Sequence, residues 1–120
     1  MSHTSHPYPS SALVLNRDEA LDNLDGDQEL YQLIIGTFLA EASSGLNALI
    51  QALHEGNQPR IAEEAHTMKG MAAAIGADRF ADYMNQLQNS ARATTCTDTT
   101  AWLQLLPAEF AVLIKALNAL

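Results

Sequence analysis

Asn57-Gln58-Pro59-Arg60-Ile61-Ala62-Glu63-Glu64-Ala65-His66-Thr67-Met68-Lys69-Gly70-Met71-Ala72-Ala73-Ala74-Ile75-Gly76-Ala77 reads as one helix with both ends marked. Asn57 is a good N-cap, and Pro59 falls in the first turn, where a missing N–H is harmless. Ile61, Ala65, Met68, Ala72 and Ile75 recur at spacings of 4, 3, 4 and 3, the core stripe of a helix packed along its length. Ile75-Gly76-Ala77 ends it. His66 lies about 100° round from Ala65, so it belongs at the edge of the packing and not in its centre.

The neighbours of His66 form their own stripe: Ala62, Glu63, Lys69, Gly70 and Ala73. Ala62, Gly70 and Ala73 have almost no side chain, so the imidazole stands on a shallow, smooth shoulder. An interior glycine costs about 1 kcal/mol relative to alanine, and Gly70 neither caps nor kinks a visible break. Access for a macromolecular partner is a reason for it. Neutral imidazole is a nucleophile at cellular pH, and a lysine one turn on can balance the charge of a phosphoryl group attached to the ring. A lone helical histidine is more often an inert surface residue; the combination with Lys69 and Gly70 argues otherwise.

Outward from this run, everything after the first dozen residues reads as helix. A short helix is expected from Arg17 to Leu24, ending at Asp25-Gly26. Asp27 then caps a long one, with Leu30, Ile34, Phe38, Ala42, Leu46, Leu49 and Leu53 as its apolar stripe, stopping near Glu55-Gly56-Asn57. After the histidine helix, Asp78 begins another, with Phe80, Tyr83, Met84 and Leu87 inward, fading near Ala91. Thr94 to Thr100 is expected as a loop, with Asp98 or Thr97 capping the last helix. Trp102, Leu103, Leu106, Phe110, Leu113, Ile114 and Leu117 give that helix its apolar face, and Pro107 is expected to kink or split it. Amphipathic helices on short loops bury their stripes against one another. The expected fold is all-α: an antiparallel up-and-down four-helix bundle with a short additional N-terminal helix, over residues 13–120. Residues 1–12, which carry His3 and His6, are expected as a disordered tail or linker.

Composition narrows the function. The chain has 120 residues, enough for one core, and a net charge of -8 from 14 acidic and 6 basic residues. No Lys/Arg cluster offers a nucleic-acid footprint. Cys96 is the only cysteine, so no internal disulfide forms, and it is expected to be an ordinary exposed thiol. No apolar run is expected to reach the length of a membrane span and no signal peptide is visible, so a cytoplasmic monomer is expected.

His66, Met68, Lys69 and Gly70 resemble, in order and spacing, the signature of histidine-containing phosphotransfer (HPt) domains, His-x-Leu/Met-Lys-Gly followed by small residues and an apolar-Gly/Ala ending such as Ile75-Gly76-Ala77. The Leu15 to Leu30 segment, the Phe38-Leu39 region and Gly56-Asn57 also resemble that family, and Met71 departs from it, standing where Ser or Ala is usual. The resemblance implies a phosphocarrier in a two-component phosphorelay. His66 would accept a phosphoryl group from a receiver-domain aspartate and pass it to another. Its partners would be receiver domains of response regulators, of a hybrid sensor histidine kinase, or both. Lys69 would steady the phosphate, and Ala62, Glu63, Gly70, Met71 and Ala73 would meet the partner. The domain would need no cofactor of its own, Mg²⁺ belonging to the receiver, and the chain shows no ATP-binding kinase motif.

Two other readings exist. Glu63-x-x-His66 has the spacing of a di-iron bundle ligand pair, but such sites need two of these motifs with further inward carboxylates. A non-phosphorylated helical adaptor could bind a partner through the same face. His54 reads as compensation of a helix C-terminus or as a simple surface residue.

Overall fold

The computed structural model describes residues 4–93 and 96–120, without the side chains of Thr4, Ser5 and Cys96. The expectations for His3, Thr94, Thr95 and the Cys96 thiol lie outside the described residues. Among the described residues five helices make up the fold: α1 (Arg17–Asp22), α2 (Gln28–Glu55), α3 (Gln58–Ala74), α4 (Asp78–Arg92) and α5 (Thr99–Asn118). α2 packs on α3, α3 on α4, α4 on α5, and α5 back on α2, with α1 lying against α2. The fold is an all-α helical bundle.

The caps fall where the chain marks them. Asp27 Oδ1 accepts from the Leu30 N–H at 3.0 Å, Asn57 Oδ1 from Arg60 at 3.3 Å, and Asp98 Oδ1 from Ala101 at 3.0 Å. Each satisfies an N–H that the helix itself leaves unpaired. Gly56 (φ 64°) closes α2 in the left-handed region. Gly76 (φ 78°) does so after α3, and a Cβ there would also collide with the Asn16 carbonyl. Asn16 N–H donates to the Gly76 carbonyl at 2.7 Å, tying the start of α1 to the α3–α4 turn.

The α3 stripe is as read: Ile61, Ala65, Met68, Ala72 and Ile75 are fully buried. The α2 stripe needs correction at its start, because Leu30 is exposed while Tyr31 and Ile35 are buried. A series stepping mainly by four drifts about 160° round the helix between residues 30 and 46. The straight seam therefore runs through Tyr31, Ile35, Phe38, Ala42, Leu46 and Leu49.

α5 runs unbroken through Pro107, so the expected split is absent. Pro107 lies on the exposed side, where water can serve a carbonyl that loses its helical partner. Arg79 on α4 donates to both carboxylate oxygens of Glu109 at 2.9 and 3.2 Å, and Phe80 packs edge-on to Phe110. α2 and α5 correct another expectation: each holds an 18-residue stretch of high mean hydropathy, 1.5 and 1.3, and both are long and apolar enough to cross a membrane by length and composition alone. Both also supply the core seam, as bundle helices do, and Leu30, Leu33, Leu39 and Val112 remain exposed outside it.

The largest difference is at the N-terminus. Residues 4–12 are not a free tail in this fold but a strap along α4. Thr4 and Ser5 pair in parallel with Cys96 and Thr97. His6 Nδ1 lies 2.6 Å from Asp98 Oδ2. The Tyr8 N–H donates to Gln86 Oε1 at 3.0 Å, and Gln86 Nε2 donates back to the Tyr8 carbonyl at 3.1 Å. The Ser10 N–H donates to the Tyr83 hydroxyl at 3.3 Å. A short polar segment without core residues gave no sign of this, because its partners are side chains of a distant helix.

Candidate functional site

His66 sits mid-way along α3 and is exposed, as its position one residue off the core stripe requires. It is not free. Its Nδ1 lies 3.0 Å from Nε2 of Gln88, a fully buried α4 residue that is 2% exposed. That contact holds the ring with Nδ1 inward, and Nε2 has no hydrogen-bond partner among the described residues. The site is an imidazole with one nitrogen anchored and the other presented.

Lys69 follows one turn on, half-buried, and its Nζ reaches Asn85 Oδ1 at 3.5 Å. The two contacts form a ladder. Moving three residues forward from His66 to Lys69 on α3 means moving three back from Gln88 to Asn85 on α4, so these stretches run in opposite directions. Gln88 and Asn85 are three apart and share a helix face. One face of α4 therefore grips both chemical residues of α3. Lys69 is thus held to α4 one turn along from the ring.

The shoulder is open at Gly70, Ala73 and Ala74, all exposed, and a Cβ on Gly70 would meet nothing within 4 Å. Internal packing therefore gives no reason for glycine there. Two of the expected contact residues are placed otherwise. Ala62 is buried at 7% exposure. Met71 is five residues beyond His66, about 140° round the helix, and faces α2. There it is half-buried against the core and lines a shallow apolar groove of about 170 Å³ with Ile34, Thr37, Phe38, Glu41 and Ala74. Methionine at this position covers the α2–α3 seam and leaves the histidine's shoulder alone. Glu63 is exposed one turn before His66, and its carbonyl accepts from the Thr67 hydroxyl at 3.2 Å. The imidazole's partner is Gln88, not Glu63.

Gln88 and Asn85 are the residues that motif reading misses, yet the chain contains a signal. A three-residue turn makes α3 and α4 neighbours running in opposite directions. His66 lies eleven residues before Ala77 and Gln88 eleven after; Lys69 lies eight before and Asn85 eight after. Counting outward from the turn pairs both couples.

No curated protein and no solved structure matches the chain. A family model, the Hpt domain, matches residues 33–119, more than half of the chain. With His66, Lys69 and Gly70 arranged on α3 as described, the protein belongs to the Hpt domain family, whose members carry out histidine phosphotransfer in phosphorelays and interact with receiver domains of two-component systems.

Proposed function

We propose that this chain is a phosphocarrier in which His66 Nε2 takes a phosphoryl group from a receiver aspartate and passes it to the aspartate of a second receiver. The carrying observation is the anchored ring: Nδ1 is held by Gln88 at 3.0 Å on an exposed residue, which leaves Nε2 as the accessible nucleophile. Lys69, tethered to Asn85, supplies positive charge beside the transferred group. Gly70 and Ala73, with Glu63 at the rim, admit the receiver's catalytic edge, and Met71 stays on the α2 side of α3, away from that edge. In this reading α2–α5 form an antiparallel up-and-down bundle, supported by the closed circuit of helix contacts and the α3–α4 ladder. The protein acts in the cytoplasm as a monomer, with no kinase activity of its own, and Mg²⁺ resides on the receiver. The receivers belong to response regulators or to a hybrid sensor kinase.

The test is transfer of labelled phosphate from a phosphorylated receiver. Wild type gains an acid-labile, alkali-stable label and His66→Gln gains none. A label that persists in His66→Gln, or that never appears on wild type with several receivers, overturns the reading and favours a non-phosphorylated adaptor.

A further inference from the structure

Gln86 holds the strap by its main chain. It is 6% exposed on α4, and both ends of its amide engage one residue: Oε1 accepts from the Tyr8 N–H at 3.0 Å and Nε2 donates to the Tyr8 carbonyl at 3.1 Å. Such a clamp recognises backbone and is indifferent to the side chain between. Tyr8 itself is 63% exposed, so its ring is no anchor. The Tyr83 hydroxyl likewise accepts from a main-chain donor, the Ser10 N–H, and Cys96 and Thr97 pair with the backbone of Thr4 and Ser5. Side-chain recognition falls to His6, whose Nδ1 meets Asp98 Oδ2 at 2.6 Å. His6 and Tyr8 each precede a proline, which favours extended backbone in advance, and Pro7 and Pro9 have no N–H for the seat to satisfy. The seat made by α4, Cys96–Thr97 and the start of α5 therefore fits an extended, proline-flanked segment, whichever chain supplies it. Its present occupant fits incompletely. None of residues 6–12 is fully buried. Trp102, perpendicular to Tyr83 with ring centroids 6.3 Å apart, is 1% exposed and has no acceptor for its indole N–H among the described residues.

We propose that this seat is a docking site for an extended segment of a partner protein, one with a basic side chain two residues before a proline-flanked position, and that the strap occupies it in cis until such a segment displaces it. Charge favours a partner protein over a second copy. The chain carries a net charge of -8, and copies of it repel one another. Lysine or arginine at the place of His6 would bring Asp98 a full positive charge at neutral pH. Asp82, next to Tyr83 on α4, adds to the same negative field, and Arg79, one turn before Tyr83, is already paired with Glu109. The seat is separate from the His66 site, because Gln86 and Gln88 stand about 200° apart round α4. The cis tether is short. The Leu13 carbonyl accepts from the Arg79 N–H at 2.9 Å, which leaves Ser11 and Ala12 between two held points. A tether of that kind keeps the strap at a millimolar effective concentration. A free segment therefore competes best when the strap is weakened, and Tyr8→Pro does this by removing the N–H that Gln86 Oε1 accepts while leaving the seat unaltered.

The probe is a fluorescein-labelled peptide with the sequence of residues 1–12 and the change His6→Lys, titrated into the full chain and followed by anisotropy, with circular dichroism to confirm that each variant is folded. The Tyr8→Pro chain should bind this probe at least about tenfold more tightly than the wild-type chain, whose strap competes. Adding Gln86→Leu to the Tyr8→Pro chain should cut the binding at least about tenfold, the scale of two lost hydrogen bonds. A probe that itself carries Tyr8→Pro should bind as poorly, a comparison that leaves the protein untouched. The lysine probe should bind about two- to fivefold more tightly than the histidine probe at neutral pH, as an exposed ion pair allows, and lose that margin in high salt. Equal binding by the wild-type and Tyr8→Pro chains, or binding that survives Gln86→Leu or the proline-bearing probe, overturns the proposal. So does light scattering that finds wild-type dimers which the probe dissociates, because the seat is then filled by a second copy.

Discussion

Gly45 on α2 and Met68 on α3 compete for one position: a Cβ on residue 45 would lie 2.7 Å from the Met68 Sδ. The two helices meet closely because residue 45 carries only hydrogen. Met68 is fully buried two residues beyond His66, so its placement holds the middle of α3.

Gly45→Ala should therefore lower stability by about 1–3 kcal/mol in urea unfolding, although alanine is the better helix former by about 1 kcal/mol. Shortening the partner in Gly45→Ala/Met68→Val should recover part of the loss. Simple additivity of the two changes would count against this contact.

Gly70 makes the opposite case. With open space around it, Gly70→Ala should raise stability by about 0.5–1 kcal/mol. Gly70→Glu should leave thermal melting within the range of a neutral surface change, about 0.5 kcal/mol, yet cut transfer from a phosphorylated receiver at least about tenfold by occupying the shoulder. Wild-type transfer in that variant would separate the shoulder from docking.

Lys69→Ala should leave helicity and melting intact and slow phosphorylation, or shorten the phosphohistidine lifetime, about fivefold, as the loss of about 1 kcal/mol from a partly exposed charge implies. Asn85→Ala, which frees the ammonium without removing it, should have a smaller effect in the same direction. Rates unchanged in both variants would reduce Lys69 to a surface charge.

At the start of α5, the Ala101 N–H, and then His6, hold the Asp98 carboxyl below its ordinary value. A carboxylate whose folded value is depressed stabilises the fold above its unfolded value, about 3.9, and that stabilisation is lost as pH falls through the folded value. The melting difference between wild type and Asp98→Asn should therefore be fully present above the ordinary carboxylate value and shrink in acid below it. A difference that stays constant across that window would show that the charge of Asp98 contributes nothing.

The helices and their caps were legible because Asp27, Asn57, Gly56 and Gly76 are local signals that need no knowledge of the partner helix. The core stripe of α3 was legible for the same reason. Leu30 misled because a step of four drifts round a helix, and only the neighbours decide which drift is tolerated. The placement of His66, Lys69 and Gly70 together on the outer side of α3 was legible. Gln88 was not, because an isolated glutamine carries no pattern, and its meaning comes from standing opposite His66 across the turn. The strap was invisible because Tyr8 and Ser10 are held by hydrogen bonds to Gln86 and Tyr83, and no apolar periodicity announces such contacts.

That manner of attachment has a consequence for how the molecule breathes. Every bond tying Tyr8 and Ser10 to α4 is one that water can replace, each with a net value of about 1 kcal/mol, whereas α3 is held by fully buried apolar side chains. The strap therefore opens at a lower free energy than α3. Its amides at Tyr8 and Ser10 exchange with solvent long before those of α3, and the helix bearing His66 stays closed while the strap comes and goes.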